Sequence, residues 1–378
     1  MRTLSRAMTI VAAGAAALGL AALPAVAAAT PSPAATPSPA VFVQNDNPAG
    51  NVVFAYHRAS DGTLTLANRY PTGGFGGVLT GSVVDHLASQ GAVALDAAHG
   101  LLFAVNAGSD TVSVFAVSGD RLALRQTLRS GGSFPVSVTV SGDIAYVLNA
   151  RDGGTVSGFR IDRQRVDPIA RSTRALGLDP TATPEFTHTP GQVAFAPNGD
   201  QLLVTTKANG NDVIVFGVDA AGRLGAPTLN ALPDTVPFAT AFDAFGHLLL
   251  TEAGPNAVVS FAVRRSGGLT QLQSLATTQA ATCWIVEANG FGYASNAGSG
   301  SVTGVSSASD GALTSVGQTS TDGGTVDAAS SSDGRFLYVQ TGAAGIVDEF
   351  RTNANGSLTQ VGAITVPHAV GAEGIAAS

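Results

Sequence analysis

The sequence predicts an all-β fold, namely a seven-bladed β-propeller with four antiparallel strands in each blade. The first observation is a short apolar strand that ends in a polar residue and returns seven times, as in LFAVN, AYVLN and GYASN. The second is its period of about 43 to 60 residues, which holds four strand signals with turn residues every 8 to 12 residues or so. A two-sheet sandwich also consists of short strands, but it does not require one motif to return seven times in the same strand order.

Each repeat has the same internal order. Its first strand has a pattern such as GQVAFAPN, and the recurrent apolar segment is its second strand. A tight loop rich in Gly, Asn or Asp, such as NAGSD, leads to a third strand such as VSVFAV. A turn of the DG or GG type then leads to a weaker fourth strand, as in LTQLQSL. Glycine, asparagine and aspartate suit these turns because they tolerate left-handed backbone conformations.

The two chain ends predict how the ring closes. Residues 41–44 (VFVQ) match a second strand with no first strand ahead of it, and residues 371–378 (GAEGIAAS) match a first strand with nothing after it. We therefore expect residues 371–378 to complete the blade that begins at residue 41. The C-terminal strand would then close the ring and remove two open sheet edges, which otherwise invite aggregation.

Three segments are predicted along the chain: a signal peptide at 1–28, a Pro/Ser/Ala linker at 29–40 and the propeller at 41–378. Arg2 and Arg6 precede an apolar run from Met8 to Leu23, and small residues suited to a cleavage site follow at 25–27. A membrane anchor is the alternative, but the run is shorter than the roughly 20 residues that span a bilayer. The sequence therefore predicts a secreted protein without a membrane span.

Composition limits the partners and cofactors. A net charge of −7 provides no basic surface for nucleic acid. The single cysteine, Cys283, cannot form an intrachain disulfide, so stability must come from packing. The acids in loops such as NDNPAG and NAGSD lack a fixed ligand spacing. We therefore predict no metal site and no cofactor, with calcium binding in these loops left open, and we expect a monomer.

The blade register places many polar side chains on one face of the disc. In a propeller blade, the end of the second strand and the start of the first lie on the same face, so these loops meet around the mouth of the channel. The ends of the second strands are mostly amides, and the plainer interpretation of these is that they cap the tight loops. Glu252 is the wrong type for such a cap. The seven residues are Gln44, Asn106, Asn149, Thr206, Glu252, Asn296 and Gln340.

Histidines and cations on the same face are the other candidates. His86, His188 and His368 fall in connections between blades, and two of these connections, 72–90 and 176–190, are long. Long loops without secondary structure in a compact fold tend to be functional or disordered. Arg151 and Lys207 fall in loops between second and third strands. For any single histidine, a solvated surface position is the plainer interpretation.

The repeat resembles the lactonase-type seven-bladed propeller family. The residues that carry the resemblance are GLLFAVNAGSDTVSVF at 100–115, together with SQGAVAL, GQVAFAPNGDQLLVT, TEAGPNAVVSF and SSDGRFLYV. The resemblance covers the whole predicted propeller and is strongest to secreted actinobacterial members. It implies a lactone-forming or lactone-hydrolysing activity without a cofactor, as in 6-phosphogluconolactonases and carboxymuconate cyclases. Enzymes of this family have a histidine where this chain has Gln192.

Two functions follow from these residues. As a lactone hydrolase, the protein needs a base for water and a positive site for the oxyanion. We expect Glu252 or His188 as the base and Arg151 with Lys207 at the oxyanion and substrate carboxylate. Asn106, Asn149, Asn296 and Gln192 are the expected substrate-binding side chains. The alternative is a non-catalytic extracellular propeller that binds a sugar, a peptide or a cell-surface protein, and a purely structural surface protein is a third interpretation. The sequence has no G-x-S-x-G, P-loop or H-E-x-x-H motif that would decide between them.

Overall fold

The computed structural model describes residues 1, 3, 7–14 and 38–378. Most of the predicted signal peptide and most of the predicted linker lie outside the described residues, so both stay predictions. Residues 7–14 are exposed and form neither helix nor strand. In the part of the chain that is described, no helix has the length and apolar character needed to cross a membrane.

Residues 40–377 contain the strands and one short helix. The elements of the first three blades are, in chain order, β1 (Ala40–Gln44), β2 (Val52–Arg58), β3 (Leu64–Pro71), β4 (Val93–Asp96), β5 (Leu101–Asn106), β6 (Thr111–Ser118), β7 (Arg121–Arg129), β8 (Pro135–Ser141), β9 (Ile144–Asn149), β10 (Thr155–Asp162), β11 (Arg165–Pro168) and β12 (Arg174–Ala175). A short α-helix, α1 (Glu185–His188), precedes the next blade, and a single 3₁₀ turn lies at Ala107–Ser109.

The remaining strands repeat the pattern. They are β13 (Val193–Phe195), β14 (Gln201–Thr205), β15 (Asp212–Val218), β16 (Leu224–Ala231), β17 (Pro237–Phe242), β18 (Leu248–Glu252), β19 (Ala257–Val263), β20 (Leu269–Ala276), β21 (Thr282–Ala288), β22 (Phe291–Asn296), β23 (Ser301–Ser307), β24 (Leu313–Ser320), β25 (Thr325–Ser330), β26 (Phe336–Thr341), β27 (Ile346–Thr352), β28 (Leu358–Thr365) and β29 (Ile375–Ala377).

The described strands form seven antiparallel sheets, so the predicted seven-bladed propeller is confirmed. Blade 1 has the order β29-β1-β2-β3, and blades 2 to 7 begin at β4, β8, β13, β17, β21 and β25. Blade 3 has a short additional strand, β12, paired with β10. The predicted closure is also confirmed, because Val41 pairs with Ala377 and Val43 pairs with Ile375.

The second strands form the core of each blade because both of their faces are covered. Every residue of β5 and β26 is buried, and so is every residue of β9 except Ile144. A fourth strand such as β7 instead has mostly exposed and half-buried residues. Burial on both faces explains why the second strands are continuous apolar runs rather than alternating patterns.

Three second-strand tyrosines join neighbouring blades. Tyr146, Tyr293 and Tyr338 are fully buried, and each phenol donates a hydrogen bond to a carbonyl in the turn between the third and fourth strands of the next blade. The acceptors are the carbonyls of Gly222, Gly356 and Gly62, at 2.7, 3.0 and 2.8 Å. A buried phenol needs such a partner, so these bonds fix the turn of one blade against the body of another.

The connection between β3 and β4 crosses the central channel. We call residues 85–92 the plug. The side chain of Gln90 donates to the carbonyl of Ile285 and accepts from its N–H, both at 2.9 Å, while the indole of Trp284 donates to the carbonyl of Ser89. On the other side, Ser89 donates to the carbonyl of Val136 at 2.9 Å. The plug therefore contacts inner strands of blades 3 and 6 at once and lies inside the channel.

Candidate functional site

Two pockets open beside α1 at the mouth of the channel. Most of their lining residues come from connections between blades and from loops between second and third strands, as the sequence predicted for this face, and the second pocket also includes residues at the starts of β17 and β21. Glu185 and His188 of α1 line the first pocket, whereas Phe186 and Thr187 line the second. The short helix therefore separates a polar pocket from an apolar one.

The polar pocket brings together two of the predicted catalytic residues, Arg151 and His188. It has a volume of about 150 Å³ and lies between the loop 150–153 of blade 3 and the connection 178–189. Arg151 follows the second strand β9, and His188 ends α1, so separate chain segments supply the two groups. The other polar side chains of the lining are Asp152, Asp179, Glu185, Thr189 and Asn209.

Arg151 is held in place by an ion pair and an aromatic ring. Its Nε donates to Glu185 Oε1 at 2.6 Å and its Nη2 donates to Oε2 at 3.3 Å, which is the two-point geometry that arginine favours with carboxylates. The guanidinium carbon also lies 4.1 Å from the ring centre of Phe134. Partial burial acts to raise the pKa of Glu185, but hydrogen bonds from Arg151 and from the Thr80 backbone outweigh it and lower this pKa to about 2. Glu185 therefore stays ionised and keeps Arg151 in one orientation.

His188 is oriented so that one ring nitrogen is left as a base. Its Nδ1 lies 2.9 Å from both the carbonyl oxygen of Pro184 and Thr187 Oγ1. A carbonyl only accepts, so Nδ1 carries the proton in the tautomer that bonds to Pro184. In the neutral ring the other nitrogen, Nε2, then has a free lone pair. Asn209 donates to the carbonyls of His188 and Asp179, at 2.9 and 2.8 Å, and so fixes the backbone on which the ring stands.

The polar pocket is net negative. Against the single guanidinium of Arg151 stand the carboxylates of Asp152, Asp179 and Glu185. One of these carboxylates already neutralises the arginine. A phosphorylated ligand needs several cations, so the charge balance disfavours a dianion and suits an uncharged molecule.

The apolar pocket contains Lys207 and a buried acid, Asp85. It has a volume of about 170 Å³. Lys207 donates from Nζ to the carbonyls of Ala88 and Phe186, at 2.5 and 2.6 Å, and to Thr189 Oγ1 at 3.1 Å. Burial lowers the pKa of Lys207, and attraction to Asp85 opposes that shift. The amine thus uses its three donors to hold the plug against α1.

The carboxylate of Asp85 also has its hydrogen-bond partners within the plug. Its two carboxylate oxygens accept from the N–H groups of Leu87 and Ser89, at 2.8 and 2.9 Å. Burial raises the pKa of Asp85 to about 7, against the lowering effect of these bonds and of Lys207. Burial also raises the pKa of the Cys283 thiol, which lines the same pocket, to about 12, so it remains protonated at neutral pH.

Glu252, the third predicted catalytic residue, lines neither pocket. It ends β18, pairs with Pro237 and Ala257, and is only 6% exposed. Burial raises its pKa to about 6. A comparison with other blades explains why no hydrogen bond offsets this burial. At the same strand end, Asn106 and Asn296 lie next to hydroxyl residues of the third strand, whereas the third-strand residues next to Glu252 are Ala257 and Val259. The hydroxyl partners are Thr111 and Ser113 in blade 2 and Ser301 and Thr303 in blade 6.

The predicted substrate-binding amides use their side chains within the blades. Asn106, Asn149 and Asn296 have no exposed surface; the first two donate to Ser113 and Thr155 at 2.8 and 3.1 Å, and the third accepts from Thr282 at 2.7 Å. Gln192 accepts from the backbone N–H of Thr240 at 2.6 Å. The structure does not bring these four side chains into either pocket, and their role toward a substrate stays a prediction.

Sequence reasoning missed the acidic side chains that organise this face. Glu373 accepts from the N–H groups of Gly91 and Ala92, at 2.9 and 3.2 Å, and so anchors the end of the plug. Burial raises the pKa of Glu373 and of its neighbour Asp327, the latter to about 6. The available signal was an acid near the entry to a first strand. Among the described residues, no group of three or more His, Cys, Asp or Glu side chains is arranged to hold a metal ion.

Comparisons with known proteins agree with the fold and with part of the sequence. Residues 249–374 match the family model described as "Lactonase, 7-bladed beta-propeller". No curated protein sequence matches the chain significantly. The similar solved structures described below have less than 20% identity to this chain, so they support the fold alone.

Three of these structures illustrate the range of relatives. A proposed 6-phosphogluconolactonase from Bacteroides fragilis has 19% identity and a TM-score of 0.69, and the alignment covers 92% of this chain and 100% of that chain. The periplasmic gluconolactonase of Pseudomonas aeruginosa has 18% identity and a TM-score of 0.67, with 87% and 96% covered. A virginiamycin B lyase from Staphylococcus aureus has 14% identity and a TM-score of 0.52, with 71% and 82% covered.

The family model and the fold therefore support the same assignment. The model covers blade 5 from within its second strand, blades 6 and 7, and the entry to the closing strand, and the seven-bladed ring extends over residues 40–377. The resemblance of this chain to the lactonase-type seven-bladed β-propeller family is thus confirmed.

Proposed function

We propose that this protein is a lactone hydrolase that acts on a small, uncharged lactone in the polar pocket. The observation that carries the proposal is that Arg151 and His188, which come from separate chain segments, line one pocket of about 150 Å³. The family model and the gluconolactonase among the similar structures support this class of reaction. Because the same fold also occurs in a lyase, the site and not the fold must decide the chemistry.

His188 acts as the general base in this proposal. Its Nε2 removes a proton from a water molecule as the water oxygen attacks the lactone carbonyl, and the carbonyl oxygen becomes an oxyanion. The ring C–O bond then breaks, and the protonated imidazole returns the proton to the departing alkoxide. The product is the open-chain hydroxy acid, and no further reactant is needed.

Arg151 stabilises the oxyanion. Its Nε and Nη2 are bonded to Glu185, which leaves Nη1 as the donor available toward the pocket. A fixed charged donor is more effective than a mobile one because it needs no reorganisation during the reaction. Glu185 is a positioning residue in this scheme, since it acts only by orienting Arg151.

The charge of the pocket favours an uncharged substrate over a sugar phosphate. Three carboxylates surround one arginine, so a phosphate dianion would meet net repulsion. A substrate outside the cell is consistent with the predicted signal peptide at 1–28, and we propose that the protein is exported.

The test compares hydrolysis of D-glucono-δ-lactone by the wild type and by three variants. His188→Gln should lower kcat by about 10²- to 10⁴-fold, and Arg151→Met by about 10²- to 10³-fold. His57→Gln is the matched control because His57 is a half-exposed histidine of β2 that does not line the pocket. Glu252→Gln distinguishes the other candidate base. Unchanged rates in His188→Gln, or a loss confined to Glu252→Gln, would show that the polar pocket is not the site.

A second candidate is binding without turnover, and one observation favours it. The Arg151–Glu185 ion pair neutralises the cation that the oxyanion would need. In that case the same lactone or a related sugar would raise the Tm of the wild type but not of Arg151→Met, and no acid would be released. Acid release at enzyme-like rates excludes this candidate.

A further inference from the structure

The apolar pocket lies on the other side of α1 and has a different chemistry. Three aromatic side chains line it, Phe186, Phe238 and Trp284, together with small and branched apolar residues. The rings of Phe238 and Trp284 lie 4.8 Å apart at 59°, and both residues are about 95% buried. Val83 lies at the entrance, where it is 79% exposed, so the rim is apolar as well.

The charged side chains and the indole N–H of this pocket are already hydrogen-bonded within the protein. Lys207 donates to Ala88, Phe186 and Thr189, and Asp85 accepts from Leu87 and Ser89. The indole N–H of Trp284 donates to Ser89. A charged ligand would lose its hydration without gaining a partner, which is costly in an apolar site.

We propose that the apolar pocket binds one small, uncharged aromatic molecule. A cavity of about 150 Å³ with apolar walls accommodates benzene in other proteins, and this pocket has about 170 Å³. Tilted aromatic walls favour an aromatic ring over an aliphatic molecule of equal size, because edge-to-face contacts add to the burial of apolar area. The polar pocket is lined by other side chains, so this site is independent of lactone hydrolysis.

The fluorescence of Trp284 reports directly on binding in this pocket, because Trp284 is the only tryptophan in the sequence. Toluene is titrated into the full-length protein while Trp284 emission and Tm are followed. The expected result is a saturable change in emission together with a rise in Tm. Benzoate and benzylammonium, which have the same ring and opposite charges, should bind at least about tenfold more weakly.

Two variants place the binding in this pocket. Ala297→Phe and Ala253→Leu fill the pocket from two different loops and should abolish the saturable response. Ala343→Leu is the matched control, since Ala343 lies in the corresponding loop of blade 7 and is exposed. Each variant is first checked for a cooperative thermal transition. A linear, non-saturable response in the wild type, equal binding of the charged rings, or equal binding by a folded pocket-filling variant would each overturn the proposal.

Discussion

Glu252 is buried at the end of β18, in a position where blades 2, 3 and 6 have asparagines with hydroxyl partners, and Glu252→Gln should therefore stabilise the protein in a pH-dependent way. Burial raises the pKa of Glu252 from 4.5 to about 6, so the folded state disfavours the ionised form. Glutamine has nearly the same shape and carries no charge. The substitution removes the cost of burying a carboxylate while it preserves the packing against Pro237 and Ala257.

The size and sign of the effect follow from this shift. A raised pKa in the folded state means that stability is lost as the pH rises from about 4.5 to about 6 and stays lower above that range. The full penalty corresponds to about 2 kcal/mol above pH 7, and to a few tenths of a kcal/mol at pH 4.5. Glu252→Gln should therefore gain about 2 kcal/mol at pH 8 and almost nothing at pH 4.5.

Urea unfolding at the two pH values measures both quantities. Asp200→Asn is the matched control, since Asp200 is an exposed acid in the turn before β14, where substitutions usually change stability by less than about 0.5 kcal/mol. An equal gain for Glu252→Gln at both pH values would point to packing rather than charge. A loss at pH 8 would refute the reasoning, because it would mean that the carboxylate has a favourable partner.

The plug and the ring closure give two further predictions. Gln90→Ala removes two hydrogen bonds to Ile285 inside the channel and should lower the unfolding free energy by about 2 kcal/mol. Gln126→Ala removes the same pair of bonds to Val166 at a half-exposed position and should lower it by less. Equal losses in urea unfolding would contradict the buried role of the plug. Deletion of residues 371–378 exposes the edge of β1 and should produce oligomers on size-exclusion chromatography, so a monomer with unchanged Tm would show that β29 is not needed for closure.

The fold was predictable because the repeat carries it. One strand motif returns seven times in the same strand order, and the unpaired second strand at residue 41 and the unpaired first strand at residue 371 leave only one way to complete the ring. The same register placed Arg151, Lys207 and His188 on one face, and the structure has all three at the channel mouth.

The arrangement within that face was not predictable, because it depends on how two long connections pass over the blades. No periodicity indicates that the chain at 85–92 enters the channel, so the bonds from Lys207 to Ala88 and from Gln90 to Ile285 had no sequence signal. Glu185 lies in a connection that was expected to be functional, yet its pairing with Arg151 depends on the position of α1.

The most direct test of the central claim is the ratio of kcat/KM for D-glucono-δ-lactone to that for its 6-phosphate, measured with the wild type and with His188→Gln. The account predicts a ratio well above one in the wild type, because the pocket holds three carboxylates and one paired arginine, and a large loss of both rates in the variant. Preference for the phosphorylated lactone, or full activity without the imidazole of His188, would contradict it.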